Sequence, residues 1–218
     1  MICLADNDII KKLAICNLLD EAIVALGVSY DEILVLPTAR FKLGVAKNAD
    51  KARAQLGTET FDRLKSFLDR IGVIDTVPPP DEQRLFDDAL DIDTGEAILF
   101  SASVHYAACL IATGDKRSLR ALASLQNAGP IIDRMAGRVI CFEQIVMRII
   151  QHSGFNVVRS RVVPACDCDT VLRAAFGSGL EATEETVMRC LTVYTQYLRD
   201  ETGPLLINDS HASGTPGV

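Results

Sequence analysis

Tryptophan is absent, histidine occurs only three times, and no apolar run approaches the ~20 residues that a membrane-spanning helix needs. His105, His152 and His211 are scattered, which leaves no footing for a histidine-rich metal site. There is no G-x-S-x-G, no P-loop and no G-x-G-x-x-G, so the motifs for a serine hydrolase, a phosphate cradle and a dinucleotide fold are missing. Met1 leads straight into a short apolar segment without a basic region or cleavage site, and the expectation is a cytoplasmic chain, neither exported nor anchored. No internal repeat or low-complexity tract interrupts it.

What is present is a folding sequence. Of 218 residues, 49% are hydrophobic, enough for one generous domain or for a domain with an appendage. Cysteine is plentiful at seven, an odd count, and Cys3, Cys16, Cys109, Cys141 and Cys190 fall in apolar contexts where a thiol behaves as a small hydrophobe. A reducing compartment suits that usage. Cys166 and Cys168 form a lone C-x-C without a second pair, which reads as two loop cysteines rather than a zinc site.

The net charge of -7 argues against nonspecific coating of nucleic acid, yet it hides a local asymmetry. Between Arg40 and Arg70 eight basic residues face four acids, whereas between Asp75 and Glu96 eight acids face Arg84 alone. The basic stretch coincides with a helical pattern over 38–71, clearest at Phe61, Leu64, Leu68 and Ile71.

Short apolar runs alternate with helical periodicity. Ile2 to Ala5, Ile33 to Leu36, Val73 to Val77, Leu110 to Ala112 and Val139 to Cys141 read as strands; Ile9, Leu13, Cys16, Ile23 and Leu26 read as one helix ending at Gly27. Asp81 is the expected cap of a helix running towards Asp91, and a helix follows each of Asp93, Asp115 and Cys141. Apolar strands separated by helices imply an α/β fold, a parallel sheet covered on both faces. After Gly154 the pattern changes to a few β-prone residues (Val157, Val158, Val162, Val163) and two helical segments, the second carrying Tyr194 and Tyr197 as expected packing residues. The stretch from Gly203 is expected to fray.

In an open parallel sheet, ligands bind beyond the carboxyl ends of the strands. Asp6, Asp8 and Asp115 fall there, and Asp93 with Glu96 opens the intervening helix. Carboxylates gathered without cations repel, and a hard divalent ion such as Mg²⁺ or Mn²⁺ relieves them, activates water and stabilises phosphoryl transition states. Structural alternatives remain open: Asp6 and Asp115 as helix caps, and Asp93 with Glu96 as a capping box.

Three segments, in order, carry a family resemblance: Leu4-Ala5-Asp6-Asn7-Asp8-Ile9-Ile10, Asp91-Ile92-Asp93-Thr94-Gly95-Glu96-Ala97 and Ala112-Thr113-Gly114-Asp115-Lys116-Arg117. Together they resemble the PIN-domain nucleases, which include toxin ribonucleases of toxin-antitoxin systems. The resemblance implies a three-layer α/β/α PIN-like domain over 1–153 with a mainly helical extension over 154–218, and a Mg²⁺- or Mn²⁺-dependent ribonuclease. Asp6, Glu96 and Asp115 would be its metal-site and catalytic carboxylates, with Asp8 and Asp93 in support. By their charge beside this acidic edge, and not by the resemblance, Arg40, Lys42, Lys116 and Arg117 read as phosphate contacts, with an ordinary solvated helix face as the alternative. Lys42 departs from the pattern, since the family commonly has Glu there; that leaves a silent PIN-like module as the alternative. Expected partners are RNA and an antitoxin or other protein; a homo-oligomer stays open, and no membrane is implied.

Overall fold

The computed structural model describes residues 1–208. The apolar runs form strands β1 (Ile2–Ala5), β2 (Ile33–Val35), β3 (Gly72–Val73), β4 (Cys109–Thr113) and β5 (Val139–Cys141). They lie side by side in the order β3-β2-β1-β4-β5, every neighbouring pair parallel. Strand β1 is central, with Leu4 opposite Leu34 on one side and Ile111 on the other.

Because side chains alternate along a strand, the sheet divides the interior in two. Cys3, Ala5, Leu110, Ala112 and Ile140 face one buried cluster; Leu4, Cys109, Ile111, Val139 and Cys141 face the other. Helices α1 (Asn7–Ile15), α2 (Leu19–Leu26), α3 (Ala39–Lys42), α4 (Ala49–Leu56) and α5 (Thr58–Leu68) follow the first two strands, and α1, α2 and α5 bury Ile9, Ile10, Ile23, Leu64 and Phe67 in the first cluster. Helices α6 (Pro80–Asp87), α7 (Thr94–Ala102), α8 (Lys116–Ser124) and α9 (Gly129–Met135) supply Phe86, Leu99, Phe100, Leu119 and Met135 to the second. The result is a three-layer α/β/α arrangement, as the alternation of strands and helices implies.

The chain then adds α10 (Phe142–Ser153), α11 (Phe155–Val162), a 3₁₀ turn (Val163–Cys168), α12 (Thr170–Phe176) and the long α13 (Glu184–Thr202). Helix α13 reaches both cores: Val187 and Leu191 enter the first, Leu198 the second. No helix among the described residues is long and apolar enough to cross a membrane.

Several local expectations are corrected. The helix expected from Ile9 to Leu26 is two, broken where Asn17 takes φ 54° and the Leu18 N–H returns to the Leu13 carbonyl; asparagine tolerates this left-handed conformation, so the helical spacing survives a break in the backbone. Strand β3 is shorter than Val73 to Val77, and α6 is led by Pro79 and Pro80 rather than Asp81 and stops at Asp87. The valines after Gly154 are helical, because Phe155, Val158 and Val162 share one face buried in the first core. Gly203 to Ile207 does not fray: the Gly137 N–H donates to the Pro204 carbonyl and the Ile207 N–H to the Val139 carbonyl, so this segment covers the edge of β5. The Ser-Gly-Thr-Pro-Gly-Val end lies outside the described residues. Tyr194 and Tyr197 are partly exposed, beneath the cationic groups of Lys116 and Arg120 respectively.

Candidate active site

The chain leaves β1 towards β2 on one side, while β4 lies on the other, so the crevice of this sheet opens at the carboxyl ends of β1 and β4. Asp6 and Asp115 stand there. The Asp6 N–H is tied to the Ala112 carbonyl at 2.9 Å, which registers the end of β1 against β4. Asp6 occupies the N-cap position of α1 without closing a capping hydrogen bond, whereas Asp115 caps α8, accepting from the Arg117 and Ser118 N–H groups at 2.8 and 3.2 Å.

Glu96 and Asp93 form the capping box that the spacing allowed: the Glu96 N–H donates to Asp93 Oδ1 at 2.9 Å, and the Asp93 N–H donates to Glu96 Oε2 at 2.6 Å. Glu96 nevertheless belongs to the acidic group. Burial first, then a hydrogen bond to Asp115, raise its carboxyl to about 8 against the pull of the Asp93 N–H. Asp115 lies below its ordinary value: burial opposes this, but the Ser118 N–H and the Glu96 hydrogen bond prevail. The two carboxyls thus oppose each other's ionisation, and the burden falls on Glu96. Burial, and then Asp8, push Asp6 up to about 6; Asp115 adds to this, and the N–H groups of Asn7 and Asp8 offset part of it.

Asp6, Asp8, Glu96 and Asp115 are therefore brought into one electrostatic neighbourhood. Their donor chemistry suits a hard divalent ion, and the upward shifts of Asp6 and Glu96 reflect negative charge gathered in a partly buried place. As placed, no three Asp, Glu, Cys or His side chains among the described residues stand together as a metal's ligand set.

The basic residues have diverse partners. Lys42 Nζ is 3.2 Å from Asp93 Oδ2, and Arg117 Nη2 is 3.5 Å from Asp115 Oδ2. Lys116 pairs with the buried Glu143, while Arg40 donates to the Leu68 carbonyl and Asp69, bracing α3 against the end of α5. Lys42 also lines a cleft of about 300 Å³ with Lys11, Lys47, Lys51 and the exposed ring of Phe41. Lys47 rests over that ring at 5.5 Å.

Three residues of this edge escaped the sequence reading. Lys12 bridges Asp8 at 2.5 Å and Asp169 at 2.8 Å, and a cavity of about 360 Å³ is lined by Asp8, Asp115, Glu143 and Asp169 among others. Glu143 had a signal: it lies just past the carboxyl end of β5, the same position rule that picks out Asp6 and Asp115. Lys12 is legible only as an i,i+4 partner of Asp8, and Asp169 only as the cap before Thr170. Scans with family models and searches of curated proteins and of solved structures find no match to this chain.

Proposed function

We propose that this chain is a PIN-type endonuclease that uses Mg²⁺ or Mn²⁺ to hydrolyse phosphodiesters in RNA. The observation that carries the reading is the meeting of carboxylates from the end of β1, the first turn of α7 and the end of β4, where Asp115 disfavours ionisation of both Asp6 and Glu96. The three sequence segments that resemble the family are the ones that bear them. Asp6, Glu96 and Asp115 would hold the ion, with Asp8 and Asp93 beside them; the ion would supply an activated water and charge for the phosphoryl transition state. Arg117 stands over the same edge, and the lysine-lined cleft that shares Lys42 offers a polyanion an electrostatic path to it.

The test is cleavage of a mixed single-stranded RNA pool with Mn²⁺ and with chelator. Asp6→Asn and Asp115→Asn are expected to lower the rate by more than about 100-fold, beyond the loss usual for outer-shell partners. Asn keeps an oxygen able to cap α8, so folding is preserved. Undiminished cleavage by both variants rejects the mechanism. The Lys42–Asp93 pair favours a second reading, a noncatalytic PIN-like module for RNA or a protein partner, because it neutralises one of the carboxylates. Calorimetry separates the two: the module reading requires weak Mn²⁺ binding by a well-folded chain, and turnover excludes it.

A further inference from the structure

Among the described residues, one thiol approaches another across the fold: Cys16 Sγ lies 3.7 Å from Cys168 Sγ, although 152 positions separate them in sequence. Cys16 caps the carboxyl end of α1 and is fully buried; Cys168 ends the 3₁₀ turn before α12 and is partly exposed. Polar ties on both sides hold the two segments together. Lys12 of α1 pairs with Asp169, the neighbour of Cys168, and Arg161 donates to the Asn17 carbonyl at 2.7 Å and pairs with Glu21. Cys3, Cys109 and Cys141, by contrast, are buried within the sheet. At 3.7 Å the two sulfurs are in contact but not bonded.

We infer that Cys16 and Cys168 are an oxidisable pair, and that a hydroperoxide converts them to a disulfide that fastens the C-terminal helices to α1 beside the acidic edge. Cys168 is the entry point, being the more exposed of the two. Its thiol lies below the ordinary value, first through the hydrogen bond from Cys16 and with help from the Lys12 charge, which outweigh burial and Asp169. Its thiolate attacks one peroxide oxygen, the O–O bond breaks, and the leaving oxygen departs as alcohol or water; Cys168 is then a sulfenic acid. Cys16 Sγ attacks that sulfur, the S–O bond breaks, and hydroxide leaves with the Cys16 proton as water. Two thiols have been oxidised and one peroxide reduced. A dithiol reductant reverses the step.

The disulfide would close a loop of about 150 residues, which removes much of the unfolded chain's freedom. It would also keep Asp169 on Lys12, and Lys12 on Asp8 of the carboxylate group.

The experiment treats the full reduced chain with a small excess of hydrogen peroxide, alkylates the remaining thiols and maps tryptic peptides. The expected result is a dithiothreitol-sensitive link between peptides 13–40 and 162–173, an intact mass lower by two hydrogens, and a melting midpoint raised by about 10 °C. Because peptide 162–173 holds both Cys166 and Cys168, two variants assign the sulfur. Cys166→Ser should retain the link and the thermal shift; Cys168→Ser should lose both. The mapping of the unmutated chain stands even where a variant folds poorly. A Cys166–Cys168 bond, a link that survives Cys168→Ser, sulfinic acid without a link, or an oxidised chain that melts no higher than the reduced one would each overturn the assignment.

Discussion

Gly114 shows how closely the acidic edge is packed. A Cβ there would come 2.6 Å from Asp8 Oδ2 and 3.5 Å from Lys12 Nζ, so only glycine leaves the Asp8 carboxylate where it is. Gly114→Ala is expected to cost less than about 1 kcal/mol in denaturant unfolding, since a terminal carboxylate can swing aside. It should nonetheless weaken Mn²⁺ binding several-fold by calorimetry; unchanged affinity would remove Asp8 from the ligand set. Lys42 makes the opposite case. Its pair with Asp93 is half-exposed on both sides and contributes under about 1 kcal/mol to stability. Lys42→Gln should therefore leave the denaturation midpoint in place, while Mn²⁺ binds several-fold more tightly once a positive charge beside the carboxylates is gone. Weaker Mn²⁺ binding would show that Lys42 orders Asp93 more than it opposes the ion.

At the scale of elements, Asp169 joins α1 to α12. Its carboxylate caps α12 through the Val171 and Leu172 N–H groups at 2.8 and 3.1 Å, and it also meets Lys12 in a mostly buried pair. Asp169→Ala removes a cap, worth about 1 kcal/mol, and leaves Lys12 with Asp8 alone; a total loss of about 2–3 kcal/mol is expected in urea unfolding. Burial opposes the ionised Asp169 carboxyl, but the Lys12 hydrogen bond overcomes it and holds the group below its ordinary value. A carboxyl lowered on folding stabilises fully above the unfolded value of about 4, and that stability is lost as pH falls through the folded one. The difference in unfolding free energy between the unmutated chain and Asp169→Asn should accordingly be flat from pH 7 to 5 and shrink below about pH 4. A difference that grew on acidification would contradict the assigned sign.

For the whole molecule, the decisive contact is that of α13 and the turn after it with both buried cores. Val187 and Leu191 are buried in one core, and Leu198, Leu205 and Leu206 in the other. Full burial of such side chains contributes about 1.5–3 kcal/mol each, comparable in sum to the entire stability of an ordinary domain. A fragment ending at Ser153 should therefore lack a cooperative thermal transition by circular dichroism and digest rapidly with protease. A sharp transition in that fragment would mean that residues 1–153 fold alone.

Much of this architecture was legible locally. Buried parallel strands are short and apolar throughout, so Ile2 to Ala5 and Val139 to Cys141 announced themselves, and capping chemistry marked Asp93, Glu96 and Asp115 because a helix start needs acceptors for its first N–H groups. The positions of Asp6 and Asp115 relative to the sheet followed from strand polarity alone. Other features depended on partners distant in sequence. The valines of α11 are helical because one face meets a core built by α2 and α10, the segment after Gly203 is ordered by β5, and Lys12 is held by Asp169. The amino-acid order determined where β1 and β5 run, which acids open helices and which end of the sheet is acidic, since these arise from neighbours along the chain. The tertiary structure alone decided that Glu96 and Asp115 oppose each other's ionisation, that Glu143 and Asp169 border the edge, and that Cys16 faces Cys168, because each needs two segments that meet only after the sheet has formed.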